Sequence, residues 1–179
     1  MRGPLLSGPL GSPAALERVC QIARAHSPTV VLTALWLAET LSEEFPVLAL
    51  VEDDKRSAGQ RAMRRASKAG RPLLVVAAGE DIPLARGSVG SVLVENLMDI
   101  EERAAAEDLL AGLMPALRPD GVVVSLDATK SPEVEARLAG LFLGAALKGI
   151  TQLRPREGAL LTMGTLPHPA VVAARLRQV

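Results

Sequence analysis

The sequence predicts an α/β protein built on a three-layer, doubly wound, mostly parallel sheet of about seven strands that ends in an antiparallel hairpin. Segments with strand-like and helix-like patterns alternate along nearly all of the 179 residues. Several strand segments are continuous apolar runs, which is typical of parallel strands buried on both faces, and they read VVLTAL, VLALV, LLVVAA and VVVSL. The last two strand segments flank Arg156-Glu157-Gly158, a pattern that favours a hairpin.

In the first half of the chain, proline and glycine mark the ends of the predicted helices. A helix is predicted over residues 13–26, with Ser12 as its cap and Pro13 in its first turn. Pro28 follows that helix, Pro46 stops the second and Gly70 stops the third. The other segments are a strand over 29–35, a helix over 36–45, a strand over 47–52, a helix over 54–70 and a strand over 71–78.

The second half continues the alternation until the terminal hairpin. A Ser-Pro pair opens its second helix and Gly149 closes it. The segments are a strand over 91–96, a helix over 100–117, a strand over 121–127, a helix over 131–149, and strands over 150–158 and 159–166. No internal repeat interrupts this order, so we expect a flexible lead-in over 1–11 and a single domain over 12–179.

The composition excludes several broad classes of protein. The 20 basic and 20 acidic residues cancel, so no overall field attracts nucleic acid or a membrane. Two Phe, one Trp and no Tyr give few stacking surfaces for single-stranded nucleic acid. No apolar run reaches the roughly 18 residues of a membrane span, and the one cysteine, Cys20, is expected to pack as a small side chain. These features predict a cytoplasmic protein without a membrane segment.

Two segments carry a resemblance to a known family. Residues 113–127 read LMPALRPDGVVVSLD, and residues 77–94 read AAGEDIPLARGSVGSVLV. Together with the order of elements over 12–166, they resemble the class I S-adenosylmethionine-dependent methyltransferases. Gly121 falls on the second glycine of the family's segment before the fifth strand, and Ile82-Pro83-Leu84 fall on its Leu-Pro-Phe positions. The resemblance implies a Rossmann-like fold with a cofactor crevice at the carboxyl ends of the first strands.

Most of the family's cofactor motif is absent from this sequence. After the first strand the family has an acidic residue and a glycine-rich turn, and the matching positions are 33–37, TALWL. Thr33 stands in place of the acid, and bulky Leu and Trp side chains replace the glycines that let the backbone approach the cofactor. Ala78 and Gly90 stand where the family has two further acids. We therefore expect that no cofactor binds.

One motif position is kept. The family's acid at the end of the second strand hydrogen-bonds the ribose, and Glu52 matches it, nineteen positions after Thr33. If any residues hold a cofactor, they are Glu52 and Asp53. The favoured interpretation of 52–54 is instead a solvated turn that caps the next helix.

The sequence offers no set of catalytic or metal-ligating residues. The two histidines, His26 and His168, have no cysteine or acid at ligand spacing, so neither is expected to bind metal or to be catalytic. The residues expected at the rim of the crevice are Trp36, Glu95, Asn96, Met98 and Asp99.

Charge is segregated along the chain. Residues 55–71 contain seven basic residues and no acid, and Arg61, Arg64, Arg65 and Lys68 share one helical face. Residues 95–108 contain six acids and one arginine. One interpretation is two solvated faces. The other is a polarised surface that docks another protein, a second copy of the chain or a phosphate backbone.

These observations favour a non-catalytic methyltransferase-like domain that acts as a protein-interaction or scaffold module. The N-terminal domain of anamorsin-type proteins is similar in having the fold without the cofactor motifs. Two alternatives stay open. One is an active S-adenosylmethionine-dependent methyltransferase, or an enzyme for another small ligand, with a divergent site. The other is an RNA-binding protein that uses the basic helix over 55–71.

Overall fold

The fold is a seven-stranded sheet with helices on both faces. The computed structural model describes residues 13–32, 34–77, 84–97 and 103–167. The strands are β1 (Thr29–Leu32), β2 (Val47–Val51), β3 (Leu73–Ala77), β4 (Val89–Glu95), β5 (Leu117–Asp127), β6 (Lys148–Arg156) and β7 (Ala159–Thr165). The helices are α1 (Pro13–Ala25), α2 (Leu35–Leu41), α3 (Arg56–Lys68), α4 (Arg103–Leu113) and α5 (Pro132–Gly144). Ser12, the predicted cap of α1, and the lead-in over 1–11 lie outside the described residues.

The strand order is β3-β2-β1-β4-β5-β7-β6. The first five strands in this order are parallel, and β7 runs antiparallel to both β5 and β6. The predicted parallel sheet with an antiparallel terminal hairpin is therefore confirmed. The chain order reverses between β1 and β4, which is where sheets of this kind form a ligand crevice at the carboxyl ends of their strands.

Two apolar layers hold the helices against the sheet. Helices α1, α2 and α3 pack on one face, where Val19, Leu37 and Ala62 are fully buried. Helices α4 and α5 pack on the other, where Leu110 and Phe142 are fully buried. This arrangement confirms that the apolar strand segments are covered on both sides. No helix among the described residues is long and apolar enough to cross a membrane.

Several element boundaries differ from the sequence prediction. Strand β1 ends at Leu32, and α2 begins at Leu35, so the predicted strand over 29–35 is too long. Helix α2 ends at Leu41 because the chain turns at Ser42, whose hydroxyl donates to the Glu39 carbonyl. Strands β4 and β5 both start earlier than predicted, since Val89 pairs with Leu117 across a register shift that local periodicity does not reveal.

Gly90 has a packing role. A Cβ atom at this position would lie 2.0 Å from the carbonyl oxygen of His26, which is a backbone atom. The Gly90 N–H also donates to the Pro28 carbonyl at 2.9 Å. Glycine is therefore required where α1 leads into β1, whatever residue the methyltransferase family has at the matching position.

The first prediction compares two glycines. Gly90→Ala should destabilise the fold by at least about 2 kcal/mol, because the new methyl group meets backbone that cannot rotate away. At roughly 2–4 °C per kcal/mol for a domain of this size, the melting temperature should fall by about 4–8 °C or more. Circular dichroism melting of the purified chain measures this.

Gly140 in α5 is the matched control. A Cβ atom there meets nothing within 4 Å. Gly140→Ala should leave stability unchanged or raise it by up to about 1 kcal/mol, because alanine favours the helix. Equal melting temperatures for the two variants would contradict the packing role of Gly90.

Candidate functional site

The turn after β1 is short and filled with apolar side chains. Helix α2 starts at Leu35, so only residues 33 and 34 connect it to β1. Ala34 is 2% exposed and Leu37 is 0% exposed, and both belong to the core that covers the α1–α3 face of the sheet. Leu35 and Trp36 are partly buried and pack against that same core. Thr33 itself lies outside the described residues. The chain thus passes from β1 almost directly into a helix that packs on the sheet.

Trp36 and Glu95, both predicted at the crevice rim, come together. Glu95 is the last residue of β4, and the Trp36 side chain donates a hydrogen bond to its carboxylate. Burial raises the pKa of Glu95, although this hydrogen bond and the charge of Lys55 act in the opposite direction. The Trp36–Glu95 contact therefore joins the first turn of α2 to the end of β4, beside the point where the chain order reverses.

The acids after β2 are engaged by neighbouring basic side chains. Lys55 forms an ion pair with Glu52 at 2.5 Å, and Arg56 forms one with Asp53 at 3.1 Å. The hydrogen bond from Lys55 to Glu52 raises the pKa of Lys55. Residues 53–55 form a short 3-10 turn before α3. Glu52 precedes this turn and Lys55 precedes α3, and neither side chain makes a capping hydrogen bond to the backbone. The prediction of helix capping by this segment is wrong, because its carboxylates pair with basic side chains one turn ahead.

Asn96, the residue directly after β4, has a left-handed backbone conformation. Its φ is 53°, a conformation that asparagine tolerates better than most residues, and its N–H donates to the Leu126 carbonyl at 2.7 Å. This bond holds the ends of β4 and β5 together at the crevice side of the sheet. The other two predicted rim residues, Met98 and Asp99, lie outside the described residues.

The basic face of α3 is exposed but not uniform. Arg61, Arg64, Arg65 and Lys68 are all exposed, as the sequence predicts. Arg65 is bound to Glu39 of α2 at 2.6 Å. Among the described residues, the other three have no ion-pair partner.

Helix α2 is held by arginines on both sides. Besides the Arg65–Glu39 pair, Arg71 binds Glu43 at 2.9 Å. Arg24, in the last turn of α1, binds Glu44 at 2.6 Å. All three pairs are solvent-exposed, so each contributes little to stability. The three pairs give a partner to each acid of residues 39–44, namely Glu39, Glu43 and Glu44.

A buried polar cluster at the carboxyl end of β5 was missed by sequence reasoning. Asp127 is buried and accepts a hydrogen bond from the equally buried Ser125. Thr162 of β7 lies opposite Ser125 in the ladder. The side chain of Gln152 in β6 donates a hydrogen bond to the Thr162 hydroxyl at 3.3 Å. In the sequence, the sign of this cluster is that two polar residues, Ser125 and Asp127, interrupt an otherwise apolar strand. Because Ser125 and Thr162 are opposite each other in the β5–β7 ladder, the two hydrogen-bonded pairs lie side by side.

His26 and Cys20 are both partly buried. Burial, followed by the charge of Arg118, lowers the pKa of His26, which lies in the turn after α1, and His168 lies outside the described residues. Burial raises the pKa of the Cys20 thiol. Within the described part of the chain, no three His, Cys, Asp or Glu side chains lie together as metal ligands.

Comparison with known proteins identifies the fold. No family model and no curated protein matches the chain. A SAM-dependent methyltransferase from Aquifex aeolicus is similar in structure, with 14% identity, a TM-score of 0.59, and coverage of 87% of this chain and 98% of that protein. An O-methyltransferase family protein from Burkholderia thailandensis also shares 14% identity with a TM-score of 0.59, covering 87% of this chain and 58% of that one.

A third similar structure is the [4+2]-cyclase SpnF. It shares 8% identity and a TM-score of 0.68, and the match covers 93% of this chain and 85% of the cyclase. At such low identities the likeness establishes the fold alone. The chain has the class I fold of S-adenosylmethionine-dependent methyltransferases, and proteins with different activities share that fold.

The second prediction uses Trp36, the only tryptophan of the chain. Because its indole N–H binds the Glu95 carboxylate, its fluorescence should titrate with that group. The midpoint should lie above the ordinary range for glutamate, since burial raises the pKa of Glu95. Glu95→Gln should remove the titration, whereas Glu133→Gln, an exposed position on α5, should leave it unchanged.

The same shift predicts a pH dependence of stability. A carboxyl with a higher pKa in the folded chain binds its proton more tightly there, so stability falls as pH rises from the unfolded pKa to the folded one. Glu95→Gln should therefore gain stability relative to wild type between about pH 4 and pH 7. Urea unfolding at both pH values measures this, and an equal difference at both would contradict the raised pKa.

Proposed function

We propose that this chain is a non-catalytic methyltransferase-like domain that serves as a protein-interaction module. The observation that carries the proposal is the direct start of α2 after β1. Leu37 is fully buried and Ala34 nearly so, where a cofactor-binding member of the fold needs glycine backbone beside the ligand. The side chains that follow β1 thus contribute to the core of this domain.

The polar groups near the crevice support the same proposal. Glu52, at the ribose-binding position, is paired with Lys55, and Glu95 accepts from Trp36. A cofactor would have to replace these contacts, and it would lack the acids that Thr33, Ala78 and Gly90 replace. Each unmatched polar group costs about 1–3 kcal/mol. Three such losses would remove most of the roughly 8 kcal/mol of a micromolar complex.

The third prediction is that S-adenosylmethionine and S-adenosylhomocysteine do not bind. A ligand at 100 times its dissociation constant stabilises a protein by about 2.7 kcal/mol. For this domain that corresponds to a rise in melting temperature of about 5–10 °C. We expect no such rise with either compound at millimolar concentration, and no heat of binding by calorimetry.

A variant shows which site is responsible if the melting temperature does rise. If a shift did appear and Glu52→Gln abolished it, the residue at the ribose-binding position would be holding the cofactor, and an enzyme with a divergent site would replace the proposal. A shift that survives Glu52→Gln would point to a different ligand in the crevice. Glu43→Gln, an exposed acid beyond α2, is the control for the change of charge.

The fourth prediction concerns the basic face of α3, which we propose contacts another protein. Changing Arg61, Arg64 and Lys68 to Glu should alter stability by no more than about 0.5 kcal/mol, because all three are exposed and unpaired among the described residues. The same variant should lose the proteins that the wild type recovers from native extract. Arg65 is left unchanged because it binds Glu39.

The control carries the same change of charge elsewhere. Arg18, Arg86 and Arg137 are exposed on other parts of the surface, and changing them to Glu should preserve recovery. Titration with single-stranded RNA tests the competing interpretation. Three phosphate contacts would give a log–log salt slope near −2, and such a slope, lost in the α3 variant, would favour RNA over a protein partner.

A further inference from the structure

The two edge strands of the sheet differ in how they are protected. Edge strand β6 contains Lys148, Arg154 and Pro155, and its pairing with β7 is shifted in two places. Charges, proline and irregular pairing are the features that keep an edge from binding another strand. The opposite edge, β3, has the sequence LLVVA with no charge or proline, and all five of its residues pair with β2 without a shift. Strand β3 is therefore suited to accept a further strand.

The backbone of β3 presents hydrogen-bonding groups to the open side. The Pro72 carbonyl accepts from Val47 N–H at 3.0 Å, so it points toward β2. Backbone direction alternates along a strand, which turns the N–H and C=O of Val75 away from β2. In the described part of the chain, no strand lies on that side of β3. Val75 is the central residue of the strand, so these groups stand in the middle of the open edge.

The surface that flanks this edge is neutral and partly apolar. Helix α3 lies directly over β3, since a Cβ atom at Gly59 would come within 2.5 Å of Val75 Cγ1. Gln60 and Met63 line a cavity of about 100 Å³ beside the outer face of the strand. On the side of α3 that lies toward α2, Arg65 forms an ion pair with Glu39.

A groove continues from the other end of the edge. It has a volume of about 690 Å³ and is lined mainly by apolar residues at the amino ends of β1 to β4, together with Met63 and Ser67 of α3. Leu74 of β3 lines it and is 46% exposed, which is unusual for a leucine on a strand. Apolar surface therefore flanks β3 on both faces of the sheet.

We propose that β3 pairs antiparallel with β3 of a second copy of this chain, around a two-fold axis at Val75. This pairing joins the outward N–H and C=O of Val75 to those of its counterpart. It also sets Leu73 against Ala77 and Leu74 against Val76, so that a large apolar residue meets a smaller one at each pair. The proposal deepens the proposed function, since it names a partner of the interaction module.

Charge favours a second copy over an acidic or phosphate-bearing partner at this edge. The strips of α3 that meet across the axis carry Gln60, Met63 and Ser67, which are uncharged. Arg56 lines the smaller cavity and Arg71 lines the larger groove, but each is paired with an acid, Asp53 and Glu43 respectively. None of the basic-face residues Arg61, Arg64, Arg65 and Lys68 lines either cavity, so the two copies do not bring these charges together.

The size of the contact predicts a weak dimer. One strand pair and the flanking strip of α3 fall at or below the low end of specific interfaces, which is about 1,200 Å² of total buried area. Self-association should therefore depend on concentration in the micromolar range. Sedimentation equilibrium of the full chain, from micromolar to submillimolar concentration, measures it directly.

Two matched variants locate the interface. Leu74→Lys places a charge on the open edge and should raise the dissociation constant at least about tenfold, because edge lysines block strand addition. Leu153→Lys makes the same change on edge strand β6, where Leu153 is 41% exposed, and should leave the dissociation constant unchanged. Both leucines are partly solvated, and melting curves check that each variant is folded.

A second measurement does not depend on any variant. Hydrogen exchange of the Val75 amide in the wild type should slow by at least about tenfold between dilute and concentrated samples, since pairing buries its N–H. A chain that stays monomeric, a dimer weakened equally by Leu153→Lys, or exchange at Val75 that ignores concentration would overturn the proposal. A monomer that binds no S-adenosylmethionine would overturn the choice of partner and leave the proposed function standing.

Discussion

Burial of the central strands on both faces is the constraint on which the rest of this structure depends. Strands β1 and β4 lie near the centre of the sheet, and each pairs with a parallel neighbour on both sides. Their side chains alternate between two apolar layers, so helices must cover both faces. Within the sheet itself, exposed groups are thereby confined to the ends of the strands and to the two edges.

At the carboxyl ends of the strands, the groups that remain are mostly engaged with one another. Trp36 binds Glu95, Lys55 binds Glu52, and the backbone of Asn96 binds that of Leu126. Glu95 and Asn96 are partly buried, and partly buried polar groups lose water and need a partner, whereas Glu52 and Lys55 form an exposed ion pair. Here other side chains and the backbone of the protein supply those partners.

At the edges, the same sheet has two different surfaces. Strand β6 contains charges and a proline and pairs irregularly, while β3 is a short apolar strand in regular register. Of the arginines of α3, Arg65 pairs with Glu39 of α2, while Arg56 lies beside β3 and pairs with Asp53. The two sides of α3 thus differ: Gln60, Met63 and Ser67 lie toward β3, and Arg65 lies toward α2.

The sequence alone determined the fold, since apolar runs of strand length, alternating with helical periods, allow few arrangements other than a doubly wound sheet. It also identified the exposed basic face of α3, because helical spacing is a local property. Only the tertiary structure decided where strands begin and end, as with the shifted pairing of Val89 and Leu117. Likewise, the contacts of Trp36 with Glu95 and of Arg65 with Glu39 join residues far apart in the chain. Such contacts depend on how the elements are placed in space, which no local pattern encodes.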